Sequence, residues 1–149
     1  MILKPLRKDQ FDCLRSILQK RLEEANLTDL TTVDFLLERL EASYGMHRAG
    51  AYVDDFDAPK HCLIMSHFPS GFLLGTVAYV NLMYSVPEAR GDTEAANVLF
   101  TTAENYGRLN GADAVSGSSW VFRGSKGTDA LWKLHKYEAQ ETVYLKYLK

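Results

Sequence analysis

Met83-Tyr-Ser-Val-Pro-Glu-Ala-Arg-Gly-Asp-Thr-Glu-Ala-Ala-Asn-Val-Leu-Phe100 is the stretch whose reading decides the fold. An apolar strand runs into Pro87, an Arg90-Gly91 turn follows, and a long amphipathic helix opens near Thr93 or Glu94. A strand whose end turns into a helix N-terminus is a place to hold a phosphate, because free N–H groups and the positive end of the helix dipole face the anion. Arg90 supplies charge, Gly91 lets backbone come close, and the Thr93 hydroxyl is a further donor. The same residues carry a plainer meaning: Asp92, Thr93 and Glu94 are good first-turn residues that complement the dipole. Both meanings can hold. The two acids, Asp92 and Glu94, set negative charge where a phosphate would lie, against one Arg90.

Outward from this stretch, residues 74–86 form one long β segment rich in Val, Leu and Tyr. The helix after the turn buries Ala95, Leu99, Thr102, Ala103 and Tyr106 and stops at Asn110-Gly111. A strand over 113–121, a loop over 122–127, a short helix over 128–136 and a last strand over 142–148 complete the C-terminal side. On the N-terminal side, residues 2–6 read as a short strand limited by Pro5. Asp9 is placed to cap a helix with Phe11, Leu14, Ile17, Leu18, Leu22 and Ala25 on its apolar face and Arg15, Lys20 and Glu24 on the other. After a break over 26–32, Thr31 with Asp34 opens a second helix through Val33, Leu36, Leu37, Leu40 and Tyr44, closed by Gly45. Residues 51–54 and 61–67 then read as a hairpin around a 55–59 turn. The order is β-α-α-β-β-β-α-β-α-β, with no internal repeat or linker, so residues 1–149 read as one α/β domain.

Bulk properties narrow the function classes. The chain has 149 residues, 46% hydrophobic and 24% charged, enough for one sizeable core. A net charge of -2 argues against a general electrostatic grip on nucleic acid or on an anionic membrane. No apolar run approaches the ~20 residues of a membrane span, and residues 1–8 lack the features of a signal peptide, so the cytoplasm is the default compartment. Cys13 and Cys62, each among apolar neighbours, read as two free thiols.

The central segment resembles the cofactor loop of the GNAT superfamily of acyl-CoA N-acyltransferases, matching at Met83, Tyr84, Pro87, Arg90, Gly91 and Ala95, with Thr93 where the family has a glycine. A second patch, residues 125–137, is similar to the family's Asn-x-x-Ala-x-x-Leu-Tyr-x-x-Leu-Gly-Phe signature. Ser125 stands for the Asn that contacts the cofactor, Thr128 for the Ala, Leu131 for the Leu, and Lys136-Tyr137 for Gly-Phe. The resemblance implies a mixed, mostly antiparallel central sheet with helices on both faces. It implies acetyl-CoA, or another acyl-CoA, as cosubstrate, held by Tyr84, Ser85, Val86, Arg90, Gly91, Asp92, Thr93, Glu94, Ala95 and Ser125. The backbone amides of Tyr84, Ser85 and Val86 would bind the pantetheine arm and polarise the thioester carbonyl. A primary amine of a small molecule or a protein would be the acceptor, and the family often forms homodimers.

The departures bear on chemistry. Trp132 takes the place of the family's frequent Tyr, and an indole N–H donates a hydrogen bond but is no usable acid. The strand over 76–84 carries no carboxylate where many members have a glutamate base. Tyr79 and Asn81, read as sharing one strand face, are candidates to orient an amine or a water; Tyr84, Asn81 and Tyr137 are the candidate catalytic groups. His61 and His67 share a strand face, but no third ligand has metal-site spacing. Ser116-Gly-Ser-Ser119 lacks the Gly-x-Ser-x-Gly of a nucleophile elbow. Trp120 and Phe122 read as packing, as an aromatic acceptor pocket or as a protein contact surface. Two readings stay open: an N-acyltransferase, or a GNAT-like protein that has lost catalysis and binds, scaffolds or regulates.

Overall fold

Near residue 48 the apolar spacing changes from three and four to two, and there the chain passes from helices to sheet. The computed structural model describes residues 1–70, 75–117 and 127–139, without the side chains of 127–129. The chain divides into two compact units, Met1–Ser118 and Ser119–Lys149.

In the first unit, β1 is only Lys4–Pro5, pairing with Val53 and Tyr52; Pro5 has no N–H to extend the ladder. A 3-10 segment, Lys8–Leu14, leads into α1, Arg15–Glu24. Asp9 does not cap it: its carboxylate pairs with Arg7, whose own N–H donates to Gln10 Oε1 at 2.9 Å. Phe11, Leu14, Ile17, Leu18 and Leu22 are buried as their spacing requires. Helix α2, Val33–Gly45, is capped by Thr32, whose hydroxyl accepts from the Phe35 N–H at 3.2 Å. That is one residue past Thr31. Gly45 lies inside the helix, and His47 takes the left-handed turn at φ 56°.

Strands β2 (Ala49–Val53), β3 (His61–Pro69), β4 (Thr76–Ser85) and β5 (Ala114–Gly117) follow β1 across the sheet in chain order. All neighbours are antiparallel except β4 and β5, which are parallel. Helix α3, Thr93–Leu109, makes the crossover that a parallel pair needs. Asp54 and Asp55 close the β2–β3 turn, each accepting two backbone N–H groups through Oδ1.

Helices cover both sheet faces. Ala51, Val53, Cys62, Tyr84 and Val86 join Phe11, Leu14, Leu18 and Leu37 in one core under α1 and α2. On the opposite face α3 buries Ala95, Leu99, Phe100, Ala103 and Tyr106, while Thr102 turns its hydroxyl to the Val98 carbonyl. Gly107 sets the closest approach: a Cβ there would lie 3.0 Å from Val115 Cγ2 and 3.3 Å from Ala78 Cβ. The helix ends at Gly111, φ 69°, with the Ala112 N–H on the Gly107 carbonyl at 2.9 Å. Of the two thiols, Cys62 is buried and Cys13 half-buried, both free.

In the second unit, α4 spans Gly127–Leu134. Trp132 is buried and meets the Tyr137 ring edge-on at 4.8 Å. The Tyr137 N–H donates to the Trp132 carbonyl at 3.1 Å, and the turn that allows this puts Lys136 at φ 66°. The expected last strand over 142–148 and the residues Ser125, Trp120 and Phe122 lie outside the described residues. Among the described residues no helix is long and apolar enough to cross a membrane.

Gly107→Val should push α3 off the sheet and cost about 2 kcal/mol, seen as a lower urea midpoint. Lys136→Gly should relieve a left-handed side-chain residue and stabilise by roughly 1 kcal/mol, seen as slower hydrogen exchange at the end of α4.

Candidate functional site

The site grows from an irregularity in β4. Ile64 pairs with Leu82 and Met65 with Val80, so Asn81 is an extra residue without a partner on β3: a β-bulge. The bulge breaks the alternation. Tyr79 stands opposite Ser66 with its ring 6.3 Å from Phe68, and Asn81 is exposed at the bulge. Counting by twos across Asn81 therefore fails for the residues beyond it, and Leu82 joins Tyr84 at the core under α1 and α2. Pairing with β5 is described from Val77 to Val80.

Beyond the bulge the main chain alternates between two edges. The Val86 N–H donates to the Lys60 carbonyl at 2.9 Å. By alternation, Tyr84 and Val86 turn their main-chain groups to β3, and Met83 and Ser85 turn theirs to the other edge. Of the three amides expected to serve a cofactor, Ser85's is the one on that edge, and Met83 joins it. No sequence pattern says which edge a given amide faces. Ser85 is held twice: its hydroxyl lies 2.7 Å from Nδ1 of buried His61, and its carbonyl accepts from Arg90 Nε at 3.0 Å. His67 is engaged elsewhere, with Nδ1 2.7 Å from the Tyr106 hydroxyl.

A 3-10 turn, Pro87–Ala89, carries the chain to Arg90 and Gly91. Gly91 has φ 87°, and nothing lies within 4 Å of where its Cβ would stand; glycine is there for conformation, with open space above it. Asp92 caps α3, accepting from the Glu94 N–H at 2.9 Å and the Ala95 N–H at 3.1 Å. Thr93 and Glu94 are exposed and Ala95 is buried.

The Arg90 guanidinium forks onto Glu24, the last residue of α1, at 2.5 and 2.6 Å. The Tyr84 hydroxyl donates to the same carboxylate at 2.7 Å. The Tyr84 ring has Arg90 5.4 Å from its centroid and Arg21 5.8 Å from it. Tyr84, a candidate catalytic group, thus points its hydroxyl at Glu24. Glu24 has no signal in the sequence: it sits 66 positions from Arg90, on the polar face of an ordinary amphipathic helix.

Solved structures share the overall fold of this chain at low sequence identity. A Clostridium acetobutylicum protein described as a predicted acetyltransferase, solved with acetyl-CoA, matches at TM-score 0.76 and 14% identity, over 98% of this chain and 95% of that one. The chain has the GNAT acetyltransferase fold. An aminoglycoside acetyltransferase from an uncultured soil metagenomic sample matches the GNAT-fold chain at TM-score 0.74 and 13% identity, over 97% and 95% of the two chains. The ribosomal-protein-alanine N-acetyltransferase of Brucella melitensis biovar Abortus 2308 matches at 0.72 and 15%, over 99% and 100%. No family model and no curated protein sequence matches.

At the turn expected to hold a phosphate, Gly91 has open space above it and Arg90 is the next residue back. Two carboxylates already use the groups a phosphate would use: Glu24 holds the fork of Arg90, and Asp92 holds the Glu94 and Ala95 amides. The Arg90 hydrogen bonds keep the Glu24 carboxyl below its ordinary range, helped by the Tyr84 hydroxyl. Burial, then Glu24, pushes the Tyr84 phenol up, and Glu24 raises Arg90.

A carboxyl held down in the folded state stabilises above its unfolded pKa and loses that contribution as pH falls through the folded value. Arg90 is 44% exposed and Glu24 27%, so solvent screening limits the effect to about 1 kcal/mol or less. Glu24→Gln should therefore be slightly less stable than the parent at pH 7, and the difference should shrink as the pH falls below the ordinary carboxylate range, measured by urea unfolding across an acid series.

Proposed function

We propose that the chain is an N-acyltransferase that moves an acetyl group from acetyl-CoA to a primary amine of a small molecule or protein. The observation that carries this reading is the bulged β4, whose Met83 and Ser85 main-chain groups face the edge beside β5 and lead directly into the Pro87–Gly91 turn. The likeness to a structure solved with acetyl-CoA supports it.

The cosubstrate brings the activated acyl group; the chain's part is binding and orientation. The Ser85 N–H is a fixed donor for a carbonyl oxygen that gains charge as an amine attacks, and donors fixed in advance cost no reorganisation. His61 and Arg90 hold Ser85 from its side chain and its carbonyl. Arg90, Gly91 and the start of α3 receive phosphate, and Thr93 adds a hydroxyl. Positioning the amine in line supplies much of the remaining acceleration. With no carboxylate on β4, the amine's proton leaves through water.

A second reading is a GNAT-fold protein without turnover, which binds or regulates. Glu24 and Asp92 favour it, since both occupy phosphate-binding groups. Calorimetric titration with acetyl-CoA, followed by an amine panel assayed for free thiol, separates the two. Binding with turnover supports the transferase, binding without turnover a cofactor-binding regulator, and no binding at millimolar acetyl-CoA sinks the transferase and leaves a GNAT-fold protein that binds a partner instead. Arg90→Ala should weaken acetyl-CoA binding at least about ten-fold.

A further inference from the structure

Arg90 is the cation at the phosphate turn, and its fork is filled. Nε bonds the Ser85 carbonyl, and the two terminal nitrogens bond the two oxygens of Glu24. A guanidinium fork fits a carboxylate and a phosphate by the same two parallel N–H bonds. It cannot offer both terminal nitrogens, in that geometry, to two anions. A phosphate at this fork would also meet the Glu24 charge at close range, with the exposed carboxylate of Asp92 two residues along the turn.

Glu24 has somewhere to go. It is the last residue of α1, and Asn26 leaves the helix in the left-handed conformation at φ 54°. Arg21, one turn back on the same helix, already acts on the Glu24 charge. Among the described residues, the side chain of Glu24 is held at Arg90 by the fork and by the Tyr84 hydroxyl, and by no backbone group.

We propose that Glu24 is a built-in competitor for the cofactor phosphate: carboxylate and phosphate exchange on Arg90, and the exchange frees the end of α1 from Tyr84 and the cofactor turn. The proposal rests on the reading of Arg90 as a phosphate ligand. It gives cofactor binding a mechanical output. The α1 terminus and the turn after it loosen when phosphate arrives. It also sets the affinity lower than the fold alone would give.

The test is calorimetric titration with CoA of the full chain and of Glu24→Gln, Glu24→Ala, Arg90→Ala and the Glu24→Gln/Arg90→Ala pair, each checked for folding by thermal unfolding. Removal of a partly exposed, bidentate competitor should tighten CoA binding roughly five-fold in both Glu24 variants. The gain should disappear in the pair, because it acts through Arg90. Hydrogen exchange over residues 22–31 should speed up when CoA binds the parent, and should be faster without CoA in Glu24→Gln. Equal or weaker CoA binding by folded Glu24 variants, with Arg90→Ala still weakened, overturns the competition and leaves the transferase reading standing. Parent-like binding by Arg90→Ala removes the premise and overturns it too. No binding by any variant overturns the proposal and the cofactor readings together.

Discussion

Two parallel neighbouring strands need a crossover between them, and most of the first unit follows from that constraint. Strand β5 lies beside β4 only because α3 carries the chain back across one sheet face. For α3 to do so it must lie almost on the backbone, and Gly107 against Ala78 and Val115 is where it does. With that face taken, the apolar sides of α1 and α2 have the other one, where Cys62, Tyr84 and Val86 wait. The N-terminus of α3 is thereby fixed at the end of β4, and the turn between them becomes a short, fully specified piece of chain.

Within that frame, the bulge at Asn81 decides which atoms are available. One extra residue changes which side chains share a face and keeps the Met83 and Ser85 main-chain groups off β3. Among the described residues, β5 pairs with β4 only up to Val80, short of the bulge. The His61–Ser85 and Arg90–Ser85 bonds keep the end of β4 rigid. Precision there comes from second neighbours and not from the residues that face the edge.

Much of this architecture was legible in the sequence, because it rests on local signals. Phe11, Leu14, Ile17, Leu18 and Leu22 announce a buried helix face by spacing alone, and Gly111 announces an end. The resemblance at Pro87, Arg90 and Gly91 carried the topology. What was hidden is non-local or competitive. Asp9 lost its capping role because Arg7 and Gln10 solved the same hydrogen-bonding problem first. No residue type marks the bulge at Asn81, so counting by twos misplaces the residues beyond it. Glu24 is one acid among several on a solvent-facing stripe, and only the fold brings it to Arg90. A pattern of residue types encodes what each segment needs, but not which distant segment supplies it.

The sheet is laid out in the order of synthesis, β1 to β5, with each strand beside the one made just before it. The β2–β3 and β3–β4 pairings close over short distances along the chain, so they carry little loop-closure entropy and can form early. Among the described strands the slow pairing is that of β5, which has to find β4 across the length of α3. A ribosome would thus release a half-built meander whose β4 edge stays exposed until α3 has been made. In that interval the nascent chain carries an open strand edge, the surface on which chaperones and misassembly compete.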